Sequence, residues 1–263
     1  MKNIYKVPTT KNLYLIENST LFYKTLFQSN KKWSLIRYVI VVALLNIKVI
    51  LRINTNFDIS RFKFLQLKNN RIYFLKKDFD DKMVFFSSEG SNNYIYKIFP
   101  KDDIGYENEL NISKVLTIGP DSKIQITKID SNLENEDINV LKINVNSFNI
   151  LNPNKNLKNF IEEYKKFHTK YLKDLNLIHN DFTYWNVSDH QNYYEIFDWE
   201  GYVCGPVEND LIWFYLTSNL ELHELNVDLK KIDEALLLQK IKSLGMSRHD
   251  KKIIKKYKKF IQE

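Results

Sequence analysis

The order of local patterns along this chain predicts an α+β protein, a small antiparallel sheet lobe followed by a mostly helical lobe. Two observations carry that prediction. Between Met83 and Val145 the sequence offers four strand-like stretches set off by turn chemistry and one helix. From Leu157 onward, apolar residues recur at spacings of three and four, the period of a helix face. The 263 residues are 44% apolar and 14% aromatic. That is enough to bury a core without disulfides or metal, and it excludes a disordered chain.

The elements follow in order. Residues 1–80 read as an extension with an extended start, a helical patch near Lys31 to Leu51 and an apolar-rich run from Phe62 to Lys76. Met83 to Ser87 reads as a strand, Ser88 to Asn93 as a turn, and Tyr94 to Phe99 as a second strand closed by Pro100. Gly105 to Leu116 reads as a helix ended by Gly119-Pro120. Ile124 to Ile129 and Val140 to Val145 read as strands joined by an acidic, Asn-rich hairpin. Leu157 to Leu175 is amphipathic through Phe160, Ile161, Tyr164, Phe167 and Tyr171. Short strands follow near Val187 and at Tyr193 to Phe197, and the rest is helical from about Glu208. The last helix, Lys251 to Ile261, carries Ile253, Ile254, Tyr257 and Phe260 on one face under a Lys-rich back. The expected organisation is an extension over 1–80, a sheet lobe over 81–146 and a helical lobe over 147–263.

Charge and cysteine narrow the function classes. The net charge is +7, but 34 of the 39 basic residues are Lys, Asn occurs 30 times and Ala twice. That bias runs through the whole composition. Nucleic-acid surfaces lean on Arg, so no nucleic-acid partner is expected. The single cysteine, Cys204, excludes a disulfide scaffold and a multi-Cys zinc site and fits a reducing compartment. It is expected to be a small buried residue. Residues 1–19 show no secretory signal pattern, so a cytoplasmic location is expected. The most apolar stretch, Tyr38 to Leu51, is interrupted by Asn46 and Lys48 and falls short of the ~20 apolar residues that span a bilayer. Two readings of it stay open: a buried helix or strand pair, and an interfacial helix giving peripheral contact with a membrane. Nothing in the pattern fixes an oligomeric state.

The chemistry gathers in His179-Asn180-Asp181-Phe182-Thr183-Tyr184-Trp185-Asn186 and, after a strand, Phe197-Asp198-Trp199-Glu200. A strand-flanked loop lets Asp181 and Asn186 face one cavity, and a returning hairpin brings Asp198 to it. Two carboxylates and an amide oxygen are hard donors, suited to Mg²⁺ and phosphate rather than zinc. Phosphoryl transfer needs little more than a metal, a carboxylate for the attacking hydroxyl and a cation on the phosphates.

These residues resemble the aminoglycoside phosphotransferase and choline kinase family, which has a two-lobed protein-kinase-like fold. The family's His-Gly-Asp-Phe-Thr-Pro-Trp-Asn is close to residues 179–186, with Asn180 in place of glycine and Tyr184 in place of proline. Gly205-Pro206 and Asp210-Leu211 match the family's following segment. The resemblance implies that Asp181 is the catalytic base or hydroxyl positioner, that Asn186 and Asp198 hold Mg²⁺, that His179 braces the loop, and that Asp210 anchors the helical lobe. Glu200 is open between a further metal carboxylate and a hydrogen-bond partner for the loop. Trp185 and Trp199 read as packing residues.

A kinase-like lobe also needs an inward strand lysine held by a helix glutamate. Lys97 sits in an alternating strand after the turn, and Glu109 shares a helix face with Ile112 and Leu116, whereas Glu107 faces solvent with Asn111 and Lys114. Gly90 and Ser91 in the turn would offer backbone N–H groups to phosphates. The expected cofactors are ATP and Mg²⁺, bound between the lobes. The Asp-Trp-Glu form with a long front segment resembles members linked to cell-surface polysaccharide assembly. This implies a sugar-like or glycan-linked hydroxyl acceptor, with a choline-like one also in view. The resulting expectation is a small-molecule kinase. The alternatives are a pseudokinase-type nucleotide-binding module and a membrane-surface interaction module.

Overall fold

The computed structural model describes residues 4–6, 13–16, 71–77, 82–89, 92–116, 118–134, 136–145, 151–153, 157–245 and 247–262. The apolar stretch Tyr38 to Leu51 and the turn residues Gly90 and Ser91 lie outside them. The chain divides into two compact units, residues 1–106 with 128–148 and residues 107–127 with 149–263.

The first unit is built on a seven-stranded antiparallel sheet in the order β1-β2-β3-β4-β5-β8-β7. Its strands are β1 (Ile4–Lys6), β2 (Leu13–Ile16), β3 (Arg71–Lys77), β4 (Met83–Glu89), β5 (Asn92–Pro100), β7 (Ile129–Glu134) and β8 (Ile138–Val145). Residues 1–80 thus place three strands in this sheet, where the sequence reading set them apart as an extension. β5 is an inner strand, and Tyr94, Tyr96, Ile98 and Phe99 are buried along with Val140, Leu141 and Ile143 of β8. The predicted turn from Ser88 to Asn93 gives up its outer residues to the flanking strands. The β4–β5 ladder runs on through Ser88↔Asn93 and Glu89↔Asn92, so main-chain pairing holds these residues in strands although Ser and Asn favour turns.

A second difference concerns residues 124–134. One strand is expected over Ile124 to Ile129, joined to the next by an acidic, Asn-rich hairpin. Instead β6 (Ile124–Ile126) pairs in parallel with β11 (Tyr194–Ile196) in the second unit, while β7 pairs with β8 in the first. β7 is an edge strand whose residues beyond Ile129 are all exposed. Its Asp, Ser, Asn and Glu therefore read as loop, although edge strands are where such residues belong.

The second unit is mostly helical: α1 (Ile104–Val115), whose first residues are grouped with the sheet unit, α2 (Lys158–Phe167), α3 (Val207–Thr217), α4 (Glu234–Ser243) and α5 (Arg248–Phe260). The expected long helix from Leu157 becomes π-helical at His168–Leu172 and 3₁₀ at Lys173–Leu175. α2 buries Phe160, Ile161, Tyr164 and Phe167. α3 is buried from Asn209 to Thr217, the pattern of a central helix with no solvent face. α5 is the amphipathic helix expected from its spacing, with Ile253 in the core and its N-terminus closed by reciprocal bonds between Ser247 and Asp250. Among the described residues, no helix is long and apolar enough to cross a membrane.

Candidate active site

Two short ladders in the second unit frame the site. β9 (Leu177–Ile178) pairs antiparallel with β12 (Val203–Cys204), and β10 (Val187–Asp189) pairs antiparallel with β11. The chain leaves β9 through residues 179–186 to reach β10, and it returns from β11 through residues 197–202 to reach β12. Both loops bridge the same pair of ladders and so lie side by side.

Hydrogen bonds hold them there. The main-chain N–H of Phe197 donates to Asn186 O at 3.1 Å. Asn180 Nδ2 donates to Gly201 O at 3.0 Å. His179 is fully buried; its Nδ1 accepts the N–H of Asp181 at 3.2 Å, so Nε2 carries the proton and donates to Phe197 O at 2.9 Å. The ring also rests on Trp199, with centroids 4.5 Å apart. His179 is therefore a neutral cross-brace between the two loops.

Asp210 anchors the first loop from below. Its carboxylate accepts the N–H groups of His179 at 2.7 Å and Asn180 at 2.8 Å and the Tyr164 hydroxyl at 2.6 Å. Burial, reinforced by Asp210, raises the Tyr164 phenol well above its ordinary pKa and keeps it a donor. Phe182 pins the loop from within, its ring 3.8 Å from Tyr164, 5.1 Å from Phe214 and 5.6 Å from Phe160. Aromatic pairs of this kind add about 0.5–1.5 kcal/mol each beyond their burial.

Local backbone accommodates both Asn180 and Tyr184. Asn180 has φ 63°, a left-handed conformation in which glycine is free and Asn is among the best-tolerated alternatives. Tyr184 opens the 3₁₀ turn Tyr184–Asn186 after the extended Thr183. Its N–H has no role inside the turn, so a proline fits there, and so does a Tyr whose ring meets Trp185 edge-on at 4.9 Å.

Asp181 is the reactive-looking group. Its side chain is half-exposed, and three donors hold it: Asn186 Nδ2 at 3.1 Å on Oδ2, and Trp213 Nε1 at 3.2 Å and Lys240 Nζ at 3.1 Å on Oδ1. Asn186 also donates to Asp181 O at 2.9 Å. With its amide nitrogen turned to Asp181, Asn186 has Oδ1 to offer a cation. Asp198, with φ 72°, opens the 3₁₀ turn Trp199–Gly201. Its carboxylate groups with those of Glu109 and Glu200, with ligand oxygens within 4.8 Å of one another. Asn108 Nδ2 ties α1 to Glu200 O at 2.7 Å. A purely oxygen donor set suits Mg²⁺.

Glu109 is buried and Glu107 exposed, as the helix spacing implied. The sequence reading gave Glu109 the task of holding Lys97; the structure adds its membership of the Asp198 and Glu200 group. Lys97, in the first unit, is buried on β5 and lies opposite Val84 and Leu141 in the ladders. Trp199 is a packing residue, 2% exposed, while Trp185 is partly exposed and meets His249 of α5 edge-on at 5.1 Å. Cys204 corrects the expectation of burial. It is exposed, because β12 pairs only with the two residues of β9 and leaves a solvent side.

Sequence reasoning missed Lys240 and Trp213. The signal for Lys240 was present: it lies three residues after the buried Leu237 and one before the buried Ile241, so it shares the inward face of α4. Its ammonium lies 4.3 Å from the Trp213 ring centroid, and burial lowers its pKa, with Asp181 opposing.

No family model and no curated protein matches the chain. Solved structures to which it is similar include kinases. They include the bifunctional kinase-methyltransferase WbdD at 2.2 Å resolution, with TM-score 0.42, 15% identity, 66% of this chain and 48% of that one. WbdD with the kinase inhibitor LY294002 gives TM-score 0.40, 14% identity, 68% and 48%. The BubR1 kinase domain gives TM-score 0.39, 12% identity, 51% and 47%. The chain thus corresponds to about half the length of each. The chain has an α+β layout, an antiparallel N-terminal sheet followed by a mostly helical region.

Proposed function

We propose that the protein is an ATP-dependent small-molecule phosphotransferase that moves the γ-phosphate to a hydroxyl of a sugar, glycan-linked or choline-like acceptor. The observation that carries this reading is the second unit's pair of bridged loops, which sets Asp181 on an Asn186 contact next to an all-oxygen group at Asp198.

Asp181 receives the acceptor hydroxyl and takes its proton as the oxygen attacks the γ-phosphorus. The new bond is acceptor O–P; the bond broken joins the γ-phosphorus to the β-phosphate oxygen, and ADP leaves with that electron pair. Asn186 and Asp198, with Glu200 beside them, would hold Mg²⁺, which when bound neutralises phosphate charge. Lys97 is assigned to the α- and β-phosphates. His179 touches no reactant in this scheme; it fixes the spacing of the two loops. A cytoplasmic setting, with peripheral contact at the inner membrane face, suits the glycan-linked reading.

The test is phosphoryl transfer by Asp181→Ala and Asp198→Ala, each checked for retained folding by circular dichroism. Both are expected to lose transfer by about 10²-fold or more. Full turnover in either variant contradicts the assignment. Mg·ATP binding by a folded wild type without transfer to any acceptor favours the pseudokinase alternative instead.

A further inference from the structure

The site contains a cation that neither the motif nor the phosphotransferase reading uses. Lys240 comes from α4, well beyond the motif in sequence, and reaches Asp181 Oδ1 at 3.1 Å. The same oxygen accepts the Trp213 indole N–H at 3.2 Å. Among the described residues, the other oxygen, Oδ2, has a single donor, Asn186 Nδ2 at 3.1 Å. The two carboxylate oxygens are therefore not equivalent. Oδ1 is occupied by an ammonium and an indole; Oδ2 keeps room for a further hydrogen bond.

Position and packing show that this contact is built in. The Lys240 side chain is 17% exposed, although surface lysines hold their ammonium in water. Leu237 and Ile241, on either side of it on α4, are buried. The Trp213 face flanks its ammonium at 4.3 Å, within cation–π range. Burial lowers the Lys240 pKa, and the Asp181 carboxylate opposes that shift.

We propose that Lys240 is a positioning residue for Asp181, holding Oδ1 together with Trp213 so that Oδ2 alone meets the acceptor hydroxyl. A carboxylate tethered at one oxygen cannot rotate, and it presents one fixed lone pair to the proton it takes. The inference rests on the phosphotransferase reading.

The test uses the full chain with Mg·ATP and water as the acceptor, following phosphate release. Lys240→Ala is expected to lower kcat about 10- to 100-fold with KM for ATP changed by less than about twofold, because the contact acts in transfer and not in nucleotide binding. Lys240→Arg, which keeps the cation, is expected to retain most of the rate. Added methylammonium is expected to restore part of the rate of Lys240→Ala in proportion to its concentration. Lys242→Met, at an exposed position of the same helix, is the unchanged control. Should Lys240→Ala fold poorly, Lys240→Gln and Lys240→Arg are compared, and a rate for Gln equal to that for Arg overturns the proposal. Wild-type kcat in Lys240→Ala, or a loss that neither Arg nor methylammonium relieves, overturns it as well while leaving the phosphotransferase reading in place. A wild type with no Mg-dependent transfer above the Asp181→Ala background, to water or to any sugar, polyol or choline acceptor, overturns both.

Discussion

The carboxylate of Asp210 accepts the main-chain N–H of His179 at 2.7 Å, so a residue of the central helix sets the height of the loop that carries Asp181. The same carboxylate takes the Asn180 N–H and the Tyr164 hydroxyl and is 1% exposed. Replacing it by Asn leaves an amide NH₂ facing donors. Asp210→Asn is expected to destabilise the protein by about 2–4 kcal/mol, read as a lower urea midpoint. An unchanged midpoint contradicts the anchoring role.

Gly205 packs close to the residue that leads into the same loop. A Cβ there would lie 3.0 Å from Ile178 Cδ1 and 3.4 Å from Leu236 Cδ2. Ile178 is fully buried and immediately precedes His179. Gly205→Ala is expected to cost about 1–2 kcal/mol through overpacking, measured by urea denaturation. A neutral or stabilising effect contradicts the close approach.

His168 gives the fold an acid sensitivity of defined sign. Burial lowers its pKa from 6.5, with the Asp210 charge and the Leu177 carbonyl opposing; Nε2 lies 3.1 Å from that carbonyl. The unfolded state then binds the proton first as pH falls. Stability is complete above the unfolded pKa of about 6.5 and is lost as pH drops from there through the lower folded value. The urea midpoints of wild type and His168→Gln, compared at pH 7.5 and pH 5, should differ less at the lower pH. A gap that widens on acidification contradicts this sign.

Lys240 also bears on which acceptor is turned over. A second cation brought to Asp181 meets the ammonium already there, and like charges a few ångströms apart repel by a few kcal/mol at an effective dielectric near ~20. Neutral sugars or polyols are expected to exceed choline and aminoglycosides in kcat/KM by about tenfold or more. A preference for the cationic acceptors contradicts the placement of Lys240.

Much of this site was legible in the sequence because its spacing is local. Asp181 and Asn186 share one loop, Asp198 follows one hairpin later, and Glu109 lies on the face of α1 that Ile112 marks as inward. Residues 124–134 were harder, since polar edge-strand residues in β7 look like loop and a three-residue strand such as β6 has no period to detect. Lys240 and Cys204 depend on tertiary placement. A helix lysine reads as solvated unless its inward neighbours are weighed, and the burial of a cysteine depends on whether its strand has partners on both sides. The contact of His179 with Phe197 O could not be named before the two ladders were seen to share both loops.

The most direct measurement is the thermal shift of the full chain with ATP, with and without Mg²⁺, for wild type and Asp198→Ala. The account predicts a Mg-dependent rise in Tm of about 5–10 °C at ATP near 100 times its Kd, lost in the variant. No rise in the wild type, or the same rise in Asp198→Ala, contradicts it.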